Sequence, residues 1–136
     1  MLKRRVLFVC FGNACRSQMA EAFALGYGAD VIEAASAGLM PAAAIPALTR
    51  SVMEEKNFGL AGQYPKGIEA HDLSRFDLVV NMSGMPLPGA ARQAREVREW
   101  SVPDPMGGPV RDHRRSRDIV EALVMALILE LRRPAR

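Results

Sequence analysis

Val6-Leu7-Phe8-Val9-Cys10-Phe11-Gly12-Asn13-Ala14-Cys15-Arg16-Ser17 decides how this chain is read. Val6 to Val9 is a short β-branched and aromatic run, the pattern of a buried strand. Beyond Ser17, Gln18-Met19-Ala20-Glu21-Ala22-Phe23-Ala24 consists largely of good helix formers. The loop between them is short, and Gly12 and Asn13 both tolerate the left-handed backbone angles of a tight turn. Successive N–H groups in such a loop, at a helix N-terminus, form a nest for an anion. Arg16 can grip two oxygens of a tetrahedral anion with its planar fork. Cys10, beneath the nest and near the positive helix end, is expected to react as a thiolate, with Ser17 donating a hydrogen bond to it. A small buried hydrophobe ending a strand is the plainer reading of Cys10, but it leaves Gly12, Asn13, Arg16 and Ser17 unexplained. The segment points to an enzyme acting on phosphate or a phosphate-like anion, with Phe11, Gly12, Asn13, Ala14, Cys15, Arg16 and Ser17 surrounding that anion.

Outward from this segment, strands and helices alternate. Strands are expected over 4–10, 31–36, 77–82 and 95–102, and helices over 17–26, 46–57 and 111–132, with a short turn or helix near 70–74. Pro46 suits a first helical position. Alternation of this kind implies α/β architecture: a four-stranded parallel sheet with helices on both faces and right-handed crossovers. No repeat or long linker divides the 136 residues, so 1–136 forms a single domain. Pro103 and Pro105 flank Asp104 and place it on a rigid loop beyond the fourth strand. Loops at the carboxyl ends of parallel strands build the site in such sheets, which makes Asp104 a second candidate.

Composition limits the alternatives. A net charge of +3 is too mild to argue for nucleic acid, although it suits an anionic substrate. Two cysteines in one loop are no disulfide framework. Lys3-Arg4-Arg5 before an apolar run mimics a secretory signal, but the run breaks at Gly12-Asn13. A cytoplasmic globular enzyme with no membrane partner is expected.

Cys10-Phe-Gly-Asn-Ala-Cys-Arg-Ser17 resembles the phosphate-binding loop of low-molecular-weight protein tyrosine phosphatases and of the arsenate reductases that share their fold. Ser36-Ala37-Gly38, Phe76-Asp77-Leu78-Val79-Val80 and Trp100-Ser-Val-Pro-Asp104-Pro105 fall where that family has comparable segments, so the resemblance spans nearly the whole chain. It implies that Cys10 is a nucleophile, Arg16 an oxyanion ligand and Asp104 a general acid. It implies no cofactor, since Arg16 and the loop supply the positive field. The implied substrate is a phosphorylated small molecule, a phosphoprotein or arsenate. It also makes Cys10 and Cys15 a candidate redox pair, beside the plainer reading of Cys15 as a loop packing residue.

The chain departs from both branches of the family. Thioredoxin-linked arsenate reductases carry further cysteines after the third strand, and Asn81-Met82-Ser83-Gly84 has none. Tyrosine phosphatases place aromatic residues beside the catalytic Asp, where this chain has Met106-Gly107-Gly108. Gln18-Met19-Ala20-Glu21 is closer to the reductases. The residues thus favour a phosphatase, with arsenate reduction by an external thiol such as glutathione or a small redoxin as the alternative. A non-catalytic phosphate binder would have no need of a thiolate. In some reductases, residues matching Asn13, Glu21 and Ser36 hold a potassium ion, and here the Lys66 ammonium could replace that cation. His71 and His113 lack metal-ligand spacing and read as surface or capping residues. Arg111 to Arg117 reads as a solvated helix start, with phosphoprotein docking as the sharper alternative. On the last helix Val120, Leu123, Leu127 and Leu131 form a stripe for the sheet, leaving Met125, Ile128 and Leu129 for a neighbouring helix or the second subunit of a homodimer.

Overall fold

β1 (Arg4–Cys10) alternates its side chains between two apolar clusters. Val6, Phe8 and Cys10 enter one, and Leu7 and Val9 the other. A strand buried on both faces belongs at the centre of a sheet, which is why its apolar run is unbroken. The computed structural model describes residues 2–89 and 93–133. In it β2 (Ile32–Gly38) and β3 (Leu78–Asn81) flank β1, and β4 (Glu96–Glu99) lies beyond β3. All three pairings are parallel, in the order β2-β1-β3-β4.

α1 (Arg16–Gly28) and α3 (Val110–Leu131) cover the face of Val6, Phe8 and Cys10, and α2 (Ala47–Glu54) packs on α3. The opposite face is closed by two single 3₁₀ turns, Ile68–Ala70 and Leu73–Arg75. Their Ile68 and Leu73 join Phe76 and Leu87 over Leu7, Val9 and Val79. β1 and β3 are thus covered on both faces, by α-helices on one and by 3₁₀ turns on the other.

Three expected strands differ in length, β3 being one residue shorter at each end. β2 runs on to Gly38, because Gly38 pairs with Cys10 and forms a parallel bridge to Gly67. β4 is only four residues long and largely exposed. It is an edge strand, and Arg98, paired with Glu96 of the same strand, ties it to Glu130 of α3. Charges on a short edge discourage pairing with another chain.

α3 buries His113, Ser116, Arg117, Val120, Val124, Leu127 and Ile128. Intervals of three and four define one stripe, rotated from the expected one by about a residue. Ile128 is therefore not available to a second subunit. It is fully buried against Gly28, where a Cβ would lie 2.6 Å from it. Met125 is half-buried, so Leu129 alone of the three expected dimer-contact residues is exposed. Arg114 and Arg117 are not a free basic face either, because both bind Glu55. Among the described residues no helix is long and apolar enough to cross a membrane.

Candidate active site

β1 ends at Cys10 and α1 begins at Arg16, so the loop between them sits at the carboxyl end of the central strand. Its carbonyls are turned outward. Cys10, Phe11 and Gly12 accept from the N–H groups of Leu39, Met40 and Ala42, at 3.2, 2.8 and 2.9 Å. With those carbonyls engaged, the N–H groups of Gly12 to Ser17 have no acceptor within the described chain. This is the expected nest: a row of free donors at a helix N-terminus. Only Asn13, with φ of 49°, adopts the left-handed conformation, and Gly12 does not. Gly12 and Asn13 pass over Gly38, where a Cβ would meet Asn13 N at 2.7 Å.

Cys10 Sγ lies 2.9 Å from Ser17 Oγ. Asn13 Nδ2 donates to the same oxygen at 2.7 Å. Ser17 therefore accepts from Asn13 and keeps its proton for the sulfur. Arg16 is buried at 5 % exposure and anchored by Nη1, which donates to the carbonyls of Met82 and Val102 at the ends of β3 and of the segment after β4. Its Nη2 lies 3.4 Å from Asp104 Oδ2. Its Nε has no partner, the one buried side-chain nitrogen or oxygen among the described residues so left. A buried guanidinium N–H without an acceptor is costly, and an anion in the pocket would satisfy it. Asp104 is half-exposed, with Oδ1 accepting from Met106 N at 3.1 Å.

Cys10, Arg16 and Asp104 line one cavity of about 340 Å³, together with Phe11, Gly12, Ala14 and Cys15. Asn13 and Ser17, expected around the anion, are not part of its wall: both are fully buried behind the loop. The remaining wall is apolar and comes from Met40, Pro41, Ala42 and Met106. Nothing in the local pattern of these four residues marks them, since they reach the site only through the β2–α2 and β4–α3 connections.

The loop is braced from behind by amides. Gln18 Nε2 donates to Asn13 O, Asn13 Oδ1 and Tyr64 O at 2.9 to 3.0 Å, and Gln63 Nε2 donates to Gln18 Oε1 at 2.6 Å. Lys66 N also donates to Asn13 Oδ1, at 2.9 Å. Both lone pairs of that oxygen are then occupied, and Ser36 donates its hydroxyl to Glu21. Asn13, Glu21 and Ser36, the residues matched to a cation site, are held by these bonds. The Lys66 ammonium turns to Tyr64 O and to the face of the Tyr64 ring.

Cys15 is buried in the wall of the pocket, and Thr49 Oγ1 donates to its sulfur at 3.2 Å. Burial pushes its thiol up to about 11, only partly offset by the Thr49 hydrogen bond. Thr49 also contacts His113 Nδ1 at 2.9 Å. His113 is therefore no surface residue, because it lies on the buried stripe of α3 at 1 % exposure. Desolvation lowers its basicity, opposed by Asp112, the Gly108 carbonyl and Asp104. His71 has the structural role expected of it, bonded to Ser36 O and edge-on to Phe76.

Residues 5–136 match the family described as low molecular weight phosphotyrosine protein phosphatase. A glutaredoxin arsenate reductase from Synechocystis is 33% identical over 130 residues, 94% of this chain and 98% of that protein. The structure of an arsenate reductase in the phosphate binding state superimposes with a TM-score of 0.87 at 32% identity, over 94% of this chain and 98% of the other. The YwlE arginine phosphatase from Geobacillus stearothermophilus matches with a TM-score of 0.78 at 26% identity, over 94% and 92%. With a nucleophile loop, a parallel sheet and a match from β1 to the C-terminus, this chain is an enzyme of the low molecular weight phosphotyrosine protein phosphatase family.

Proposed function

We propose that this chain is a cysteine-dependent phosphatase that hydrolyses phosphomonoesters of small molecules or proteins through a cysteinyl-phosphate. The observation that carries the reading is one pocket lined by Cys10, by Arg16 with its Nε unpartnered, and by the loop whose N–H groups are free. Cys10 attacks phosphorus in line while the loop and Arg16 hold the equatorial oxygens, where charge gathers. Ser17 steadies the thiolate. Asp104, at the rim and 3.4 Å from Arg16, protonates the leaving oxygen and then activates the water that cleaves the intermediate. The apolar wall of Phe11, Met40 and Met106 faces the leaving group. Cys15 shares the pocket with Cys10, and under mild peroxide the two join in a disulfide that protects the nucleophile. A cytoplasmic setting, where both thiols stay free, completes the reading.

The test is hydrolysis of an aryl phosphate without added metal, in parallel with arsenate reduction driven by glutathione or a redoxin. Metal-independent hydrolysis that is lost in Cys10→Ser, with inorganic phosphate still bound, supports the proposal. Arsenate turnover without phosphatase activity replaces it by the second reading. That reading is favoured by the arsenate reductases among the similar proteins. It requires an external thiol, since the chain has no cysteine after Cys15.

A further inference from the structure

Cys15, Thr49 and His113 form a buried chain of groups that hydrolysis does not use. Thr49 Oγ1 donates to Cys15 Sγ at 3.2 Å and lies 2.9 Å from His113 Nδ1, and Cys15, Thr49 and His113 are 3 %, 0 % and 1 % exposed. A threonine hydroxyl donates one proton and accepts others, so it can pass a proton between two neighbours. We propose that Thr49 and His113 are the proton route of Cys15: as Cys15 attacks an oxidised Cys10, the Thr49 hydroxyl turns from the sulfur to His113 Nδ1, its oxygen takes the Cys15 proton and its own proton passes to His113 Nδ1. The inference rests on the reading of Cys10 as nucleophile and Cys15 as its redox partner.

The step is balanced. Hydrogen peroxide first converts the Cys10 thiolate to a sulfenic acid. The Cys15 sulfur then bonds to the Cys10 sulfur, the S–O bond breaks and hydroxide leaves. Hydroxide takes a proton from solvent and the His113 imidazolium returns one, so the net products are the disulfide and water.

The route answers a physical need. Attack requires a thiolate, and a thiol held at about 11 is scarcely ionised at neutral pH. Little of it meets solvent, because Cys15 is 3 % exposed in the wall of the pocket it shares with Cys10. Cys10 and Asp104 oppose its ionisation, and Arg16 favours it. A base in hydrogen-bonded contact relieves this, and such bases contribute about 10²- to 10⁴-fold. His113 suits the task. Its burial keeps the ring neutral and ready to accept at neutral pH, while Asp112, Asp104 and the Gly108 carbonyl favour the charged ring once it forms.

The experiment measures disulfide formation between Cys10 and Cys15 after peroxide, from its partition against dimedone trapping of the sulfenic acid, from about pH 5 to pH 8.5. A route through His113 is independent of pH above the His113 transition, since the proton stays within the protein, and it slows below that transition. Direct ionisation of Cys15 to solvent instead slows about tenfold for each unit of falling pH. Wild type is expected to show the plateau, and Thr49→Ser to retain it. Thr49→Val and His113→Gln lose the plateau and are about tenfold or more slower at pH 7. A glutamine amide can still hydrogen-bond to Thr49 but takes no proton, which separates proton acceptance from packing. Unchanged aryl phosphate turnover before peroxide checks that each variant is folded. Absence of the disulfide in wild type overturns the redox reading and the relay with it. A disulfide whose rate follows the tenfold law in wild type and Thr49→Val alike leaves the redox reading standing and overturns the relay.

Discussion

Gly38→Ala should disable the site without touching any group that performs chemistry. Gly38 ends β2 beneath the nucleophile loop, and a Cβ there would sit 2.7 Å from Asn13 N, 2.8 Å from Gly12 C and 2.9 Å from Phe11 O. All three contacts are backbone, so no side chain can swing away. Relief to 3.4 Å, where ordinary contact begins, moves the loop by about 0.5 to 0.7 Å. The loop carries the free N–H donors and is pinned on its outer side by Leu39, Met40 and Ala42, so the movement goes toward the anion or breaks those bonds. Misplacement by about 1 Å costs on the order of 10²-fold in rate, so a loss of roughly ten- to a hundredfold in kcat/KM is expected. Overpacking adds about 1–3 kcal/mol of destabilisation, which outweighs the ~0.4–1 kcal/mol that replacing glycine gains from the unfolded chain. The assays are aryl phosphate kinetics, inhibition by inorganic phosphate and urea unfolding. Gly59→Ala serves as control, since a Cβ there meets nothing within 4 Å. If Gly38→Ala matched wild type within twofold in both kcat/KM and phosphate inhibition, the close approach would have no bearing on the site.

Asp104→Asn should lower kcat by about 10²- to 10⁴-fold for alkyl phosphates and much less for an aryl phosphate with a good leaving group; equal losses on both would remove Asp104 as the acid. Gln18→Leu leaves the Asn13 and Tyr64 carbonyls without their shared donor, so urea unfolding should register a loss of about 2 kcal/mol or more, with a fall in kcat/KM; unchanged stability would show that the amide brace is dispensable. Arg114 and Arg117 hold the Glu55 carboxyl down at about 2, against 4.5 ordinarily. A depressed carboxylate stabilises the fold above its ordinary value and loses that contribution as pH falls through the depressed one. Wild type should therefore unfold at higher temperature than Glu55→Gln near neutral pH, with the difference closing between pH 4.5 and 2; a constant difference across that range would contradict the ion pair.

The nucleophile end of the site was legible because its parts are contiguous. Residues 6–17 carry a strand, a turn-capable loop and a helix start in one stretch, and local periodicity and turn chemistry are what a sequence displays directly. Asp104 was legible from its flanking prolines for the same reason. The parallel crossovers decided the rest. They bring Gly38 under the loop, Met40 and Met106 to its wall, and Arg16 to the carbonyls of Met82 and Val102. They place Gln63 and Tyr64 on Gln18, and Thr49 of α2 between Cys15 and His113 of α3. His113 reads in the sequence as a surface or capping residue for want of metal-ligand spacing, and only the packing of α3 turns it inward. Ile128 looked available to a second subunit because the sequence does not record that Gly28 opens a space for it on α1. A chain pattern specifies which face of an element is apolar; what lies against that face depends on the docking of elements far apart in sequence.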